Sequence, residues 1–178
     1  MAGKRLSRGL IQVYTGDGKG KTTCALGLAM RAVGQGLKVF MVQFLKGRDT
    51  GEARAAARLA PDLTLQSFGR PALIDFQAPA PEDLALAREA LDLAKELVAA
   101  GEHDLVILDE INLALAYGLV PLAEVLEMLK TRPPWVEMVL TGRQAPPELT
   151  ALADLVTEMR PVKHYHAAGV PGRRGIEW

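Results

Sequence analysis

Short apolar runs alternate along this chain with stretches in which apolar residues return every three or four positions. Residues 10–14 (LIQVY) form the first run and end at a Gly-rich turn. Residues 22–33 follow with Ala25, Leu26, Leu28, Ala29 and Met30, a composition that favours helix. Residues 37–44 (LKVFMVQF) predict a second, buried strand, residues 52–59 a helix rich in Ala and Arg, and residues 63–68 a third strand. Residues 69–81 carry Pro71, Pro79 and Pro81 without a clear period, which predicts a loop long enough to be functional. Pro81 opens a long helix with Leu84, Ala87, Leu91, Ala94 and Val98 on one face and Gly101 at its C-cap. A fully apolar strand at residues 105–108, an amphipathic helix marked by Leu122, Val125, Leu126 and Leu129, and a strand at residues 135–140 come next. One more helix and a short strand at residues 155–159 precede a Gly and Arg tail.

Strands separated by helices point to an α/β fold. We expect a mostly parallel central sheet of about six strands, covered on both faces, with ligands bound beyond the carboxyl ends of its strands. With 178 residues, 49% of them hydrophobic, one compact domain over residues 1–178 is expected. Residues 1–9 read as a basic N-terminal extension (Lys4, Arg5, Arg8) and residues 163–178 as a C-terminal tail. Lys plus Arg and Asp plus Glu both total 21, so no global field draws the chain to nucleic acid or an anionic membrane. The chain has no apolar stretch of signal-peptide or membrane-spanning length, and its lone Cys24 makes no internal disulfide. A soluble protein of the reducing cytoplasm is expected. Cys24 reads as a small buried apolar residue, and neither it nor His103, His164 and His166 completes a metal cluster.

Chemistry concentrates at the end of the first strand. Thr15-Gly16-Asp17-Gly18-Lys19-Gly20-Lys21-Thr22 lies between a predicted strand and a predicted helix, the setting a phosphate-binding loop requires. Glycines let backbone N–H groups converge on phosphate oxygens, and the helix N-terminus adds partial positive charge. Lys21 reaches the terminal phosphates, and the Thr22 hydroxyl suits Mg²⁺. The standard spacing has glycine where this chain has Thr15. Lys19 reads equally as a second phosphate cation or as a solvated loop lysine. Residues 104–110 (DLVILDE) deliver Asp109 and Glu110 at the end of an apolar strand, as the Mg²⁺-holding acidic element of phosphate-loop proteins does; the spacing does not choose between the two carboxylates. Arg143 follows another strand on the same edge and is either near the phosphates or on the surface. Lys163, His164, Arg173 and Arg174 read as an anion contact or as a solvated tail.

Together these segments resemble, nearly end to end, the phosphate-loop family of ATP:corrinoid adenosyltransferases, also called cob(I)alamin or cob(I)yrinic acid a,c-diamide adenosyltransferases. The likeness rests on TGDGKGKTT (residues 15–23), VQFLKG (42–47), LVILDEIN (105–112), VLTGR (139–143), ADLVTEMRPVKH (153–164) and the closing GIE (175–177). Thr15 in place of the first loop glycine belongs to that family's pattern. The resemblance implies a RecA-like, three-layer P-loop NTPase fold. It further implies transfer of the 5′-deoxyadenosyl group of ATP to the Co(I) centre of a reduced corrinoid, with triphosphate leaving.

By the same resemblance ATP is held, reversed relative to other NTPases, by Thr15, Gly16, Asp17, Gly18, Lys19, Gly20, Lys21, Thr22 and Thr23, with Arg143 nearby. Mg²⁺ or Mn²⁺ is held by Thr22, Asp109 and Glu110, and Lys21, Thr22 and Glu110 are the catalytic residues. Co(I) is itself a strong nucleophile, so the protein's task is positioning and stabilisation of a charged leaving group rather than base catalysis. A homodimer, a flavoprotein electron donor and an adenosylcobalamin-dependent client enzyme are also implied. Related enzymes carry a Phe-Thr-Trp stretch after the third strand, implicated in displacing the corrinoid's lower ligand. Residues 68–76 (FGRPALIDF) depart from it, which leaves Phe68 or Phe76 as substitutes or as packing residues. Without the resemblance, the motifs also admit a P-loop ATPase or small-molecule kinase with Glu110 activating a nucleophile, or a nucleotide-dependent corrinoid carrier.

Overall fold

In the computed structural model, which describes residues 5–177, the strands are β1 (Ile11–Thr15), β2 (Val39–Phe44), β3 (Leu63–Phe68), β4 (Leu105–Asp109), β5 (Glu137–Thr141) and β6 (Leu155–Glu158). Residues 1–4, with Lys4 of the expected basic extension, and residue 178 lie outside the described residues. The strands form one sheet in the order β3-β2-β4-β5-β1-β6, and all neighbouring pairs are parallel rather than mostly so. Between them run α1 (Lys21–Gly34), α2 (Gly51–Arg58), α3 (Pro81–Ala100), α4 (Ile111–Ala116), α5 (Leu122–Thr131) and α6 (Pro147–Leu152).

Alternate side chains of a strand point to opposite faces, and here both faces are covered. Phe40, Val42 and Phe44 of β2 and Val106 and Leu108 of β4 share a core with Ala87, Leu91 and Ala94 of α3 and Val125 and Leu129 of α5. Val39 and Met41 of β2 and Leu105 and Ile107 of β4 pack instead with Ala25, Ala29 and Ala32 of α1 and Ala56 of α2. Burial on both faces is why β2 and β4 appear in the sequence as continuous apolar runs.

Two expected core residues lie outside these layers. Leu84 is 41% exposed, because in the first turn of α3 it is the neighbouring Asp83 that turns inward. Asp83 accepts hydrogen bonds from the Arg70 guanidinium and the Ala80 N–H. Cys24 is exposed, not buried. Ala25 and Ala29 occupy the sheet-facing stripe of α1, and Cys24 is rotated about 100° from Ala25 around the helix axis. The strand expected from residue 135 begins at Glu137, because Trp135 lies in the preceding turn and donates its ring N–H to Gly101 O at 3.1 Å. Helix α4 has six residues, too few for a period to appear in the sequence.

Strand register carries the polar residues to one edge. Gln43 pairs with Asp109, Leu108 with Leu140, and Tyr14 with Thr141, so Gln43, Asp109 and Thr141 stand in one row at the carboxyl ends of β2, β4 and β5.

Candidate active site

That row forms the floor of the site. Asp109 is fully buried and its carboxylate takes four donors. Oδ1 accepts from Thr22 Oγ1 at 2.8 Å and Thr141 Oγ1 at 2.6 Å; Oδ2 accepts from Lys46 Nζ at 2.6 Å and Gln43 Nε2 at 3.1 Å. A buried carboxylate is tolerable when ionic and neutral donors saturate it in this way.

Above the floor lies the glycine-rich loop. Gly16 and Gly20 adopt φ 91° and 126°, a region closed to most side chains, and a Cβ at Gly16 would stand 2.5 Å from Met159 O. Lys21 is nearly buried and arches back over the loop, its ammonium donating to Gly16 O at 2.6 Å and Gly18 O at 2.9 Å. Burial pushes the pKa of that ammonium down. Thr15 has a use that glycine would not serve: its Oγ1 accepts from Ala145 N at 3.2 Å and ties β1 to the segment after β5.

Among the described residues, Leu45, Glu110 and Gln144 are the non-glycine positions with positive φ, at 61°, 64° and 55°. They follow β2, β4 and β5, so local backbone strain gathers at the carboxyl edge of the sheet, where functional sites hold it. At Glu110 the backbone N–H donates to Thr141 Oγ1 at 3.1 Å. Burial, and then the charge of Asp109, push the Glu110 carboxyl pKa up. Asn112 Nδ2 donates to Tyr14 O at 3.3 Å and Gly142 O at 3.1 Å, pinning the ends of β1 and β5 together.

Two cavities meet on this edge. One, of about 380 Å³, is lined by loop residues 17–23 with Lys46, Glu110, Arg143, His164, Ile176 and Glu177. The other, of about 420 Å³, is largely apolar, with Leu45, Leu73, Ile74, Phe76, Leu113 and Tyr117 in its walls. Lys46, Glu110 and Arg143 line both. Phe76 stacks on Tyr117 with ring centroids 4.3 Å apart, and Leu73 is 90% exposed at the rim. Phe68 lines neither cavity and packs against the core.

Of the residues singled out in the sequence, Asp17 to Thr23, Glu110 and Arg143 surround one cavity, and Asp109 lies beneath it, bonded to Thr22. Thr15 and Gly16 sit behind, at the junction of strand and loop. Lys19 is exposed but held: its ammonium donates to Ile176 O and Glu177 Oε1, both at 2.9 Å. The basic tail divides, with His164 lining the cavity, Arg173 bonded to Glu177, and Lys163 and Arg174 exposed. Sequence reasoning did not select Lys46, Gln43, Thr141 or Glu177. Lys46 had a usable signal, a cation two residues past the end of a buried parallel strand, where α/β sheets place ligand contacts.

A model of the family described as ATP:corrinoid adenosyltransferase BtuR/CobO/CobP matches residues 7–178. A corrinoid adenosyltransferase of Pseudomonas aeruginosa is 38% identical over 179 residues, covering 100% of this chain and 88% of that protein. One from Escherichia coli K12 is 40% identical over 173 residues, covering 96% of this chain and 86% of its own length. Among solved structures, the flagellar accessory protein FlaH of Methanocaldococcus jannaschii matches with a TM-score of 0.60 at 14% identity, over 86% of this chain and 72% of that one. That likeness concerns the fold alone.

Proposed function

The chain belongs to the ATP:corrinoid adenosyltransferase family and transfers the adenosyl group of ATP to a corrinoid, and on that premise we propose that its two adjoining cavities divide the substrates. The triphosphate occupies the loop cavity, the corrinoid occupies the apolar one, and C5′ lies at their junction. The observation that carries this reading is the shared lining by Lys46, Glu110 and Arg143.

The loop N–H groups, Lys21, Lys19 and Arg143 face the triphosphate, with Thr23 at the helix N-terminus. Lys21 exchanges the carbonyls of Gly16 and Gly18 for phosphate oxygens, and Thr15 keeps the loop seated. Asp109 is already taken by four donors and orients Thr22 from 2.8 Å, so the Thr22 hydroxyl and the Glu110 carboxyl are the hard oxygen donors left for an ion. They fit Mg²⁺ or Mn²⁺, which bind through one or two carboxylates together with substrate phosphates. When bound, the ion offsets charge on the leaving group.

The cobalt of the reduced corrinoid attacks C5′ with its electron pair, the C5′–O5′ bond breaks, and triphosphate leaves with the bonding pair. No proton moves, so Glu110 orients rather than abstracts, and catalysis is positioning plus charge stabilisation. Phe76 and Tyr117 supply a stacked aromatic wall for the corrinoid. We further propose a cytoplasmic homodimer served by a flavoprotein electron donor and delivering to an adenosylcobalamin-dependent client. The exposed edge strand β6 supports the dimer, and no helix of the described residues is long and apolar enough to cross a membrane.

The division of cavities is tested with Phe76→Ala. It is expected to raise KM for the corrinoid about tenfold and leave KM for ATP within about twofold, as loss of an aromatic contact in one subsite requires. A rise confined to ATP contradicts the assignment.

A further inference from the structure

The segment after β6 folds back onto the glycine-rich loop. Gly18 N donates to Met159 O at 2.7 Å, so the loop is anchored from the C-terminal side. Glu177 adds a second anchor 18 residues further along and gathers donors from three directions. Its Oε1 accepts from Lys19 Nζ at 2.9 Å, from Arg173 Nη2 at 3.2 Å and from the Tyr165 hydroxyl. Its Oε2 accepts from Arg173 N at 2.6 Å and Nε at 3.3 Å. The Glu177 side chain is 19% exposed, more shielded than Lys19 at 35% or Arg173 at 50%. Arg173, Tyr165 and Lys19 together hold its carboxyl well below the usual carboxylate range.

A carboxylate in the wall of a polyphosphate site is an apparent mistake of charge. Here the charge is matched: Lys19 stands between Glu177 and the loop, and Arg173 stands behind. Lys19 itself lies between Gly18 and Gly20, in backbone that gives a long side chain little restraint. Holding its ammonium on Glu177 Oε1 and Ile176 O settles the rotamer before any ligand arrives, and such preorganisation lowers the entropic cost of binding.

Resting on the triphosphate site proposed above, we infer that Glu177 is a positioning residue for ATP. It fixes Lys19 beside the phosphates and seats residues 173–177 as a wall of the loop cavity. Its effect runs through Lys19, so the two residues form one energetic unit.

The test is steady-state kinetics on the full chain for Glu177→Ala, Glu177→Gln, Lys19→Ala and the Glu177→Ala/Lys19→Ala pair, alongside Lys21→Ala. Glu177→Ala is expected to raise KM for ATP about tenfold with kcat within about twofold, Lys19→Ala at least as much, and the double variant no more than Lys19→Ala alone. Glu177→Gln, which keeps an acceptor oxygen and loses the charge, falls between wild type and Glu177→Ala, and carries the test if the alanine variant folds poorly. Limited trypsin digestion is expected to cut at Arg173 and Arg174 faster in Glu177→Ala than in wild type. An unchanged KM in both Glu177 variants, or penalties that multiply in the double variant, overturns the inference. If Lys21→Ala keeps the wild-type kcat/KM for ATP, the triphosphate site itself is wrong and this inference falls with it. Loss in Lys21→Ala with wild-type KM in Glu177→Ala overturns only the role of Glu177.

Discussion

Thr22 and Asp109 are 87 residues apart in the chain, yet Thr22 Oγ1 donates to Asp109 Oδ1 at 2.8 Å. The bond spans β5, which lies between β1 and β4 in the sheet, and Thr141 at the end of β5 donates to the same oxygen. A hydroxyl from the loop, one from the intervening strand and a buried carboxylate thereby form a single polar unit, which must be intact for the loop to hold its shape.

Removing that carboxylate is costly. Asp109→Ala leaves Lys46, Gln43, Thr22 and Thr141 without their common acceptor. Because Lys46 keeps some access to water, the loss is expected at about 2–3 kcal/mol of unfolding free energy, below the extreme for a fully enclosed charge. Urea denaturation checks it, and a loss under about 0.5 kcal/mol, typical of a surface substitution, contradicts the role given to Asp109.

Lys21 is expected to matter for chemistry more than for folding. On the proposed division of the cavities, Lys21→Ala removes the cation that would face the leaving group and is expected to lower kcat/KM at least about a hundredfold, near 2.7 kcal/mol of transition-state stabilisation. Its thermal midpoint should move little, since burial already disfavours the charged ammonium in the folded chain. Steady-state kinetics and a melting curve on one preparation separate the two effects.

His103 gives the chain an acid-sensitive point far from the loop. Its Nδ1 is buried without a partner and its ring meets the edge of Phe40 at a centroid distance of 5.3 Å. Burial lowers its pKa below 6.5. As pH falls, the unfolded chain therefore takes up this proton first. The stability contributed by the neutral ring is present above about pH 6.5 and is lost as pH drops from there through the folded pKa. His103→Leu should gain stability relative to wild type between about pH 7.5 and 5. Urea titrations at several pH values check this, and a pH-independent difference contradicts it.

What the sequence disclosed and what it withheld follow from how far apart the contributing residues are. β4 and the Gly-rich loop were legible because each is a contiguous stretch: an apolar run ending in Asp109 and Glu110, and a strand running into Gly16 to Thr22. The relation of Asp109 to Gln43, Lys46 and Thr141 was not, because it depends on strand order and register, which no local pattern encodes. Lys19 read as an even choice for the same reason, since its partners lie 157 and 158 residues away. Cys24 was misplaced by one step around a helix, the difference between the Ala25 stripe and solvent. Phe68 and Phe76 looked equivalent in the sequence, and only the packing of residues 69–80 brings Phe76 against Tyr117 and leaves Phe68 on the core.

On the proposed division of the cavities, the loop retains an intact triphosphate while C5′ is attacked from the neighbouring one. This proposal is tested most directly by incubating the protein with ATP and a chemically reduced corrinoid without oxygen, then measuring alkylcobalt absorbance and phosphate speciation together. One triphosphate for each light-sensitive alkylcobalt product in wild type, and neither product with Lys21→Ala, is the expected result. ADP with phosphate in place of triphosphate, or near-normal alkylation by Lys21→Ala, would contradict it.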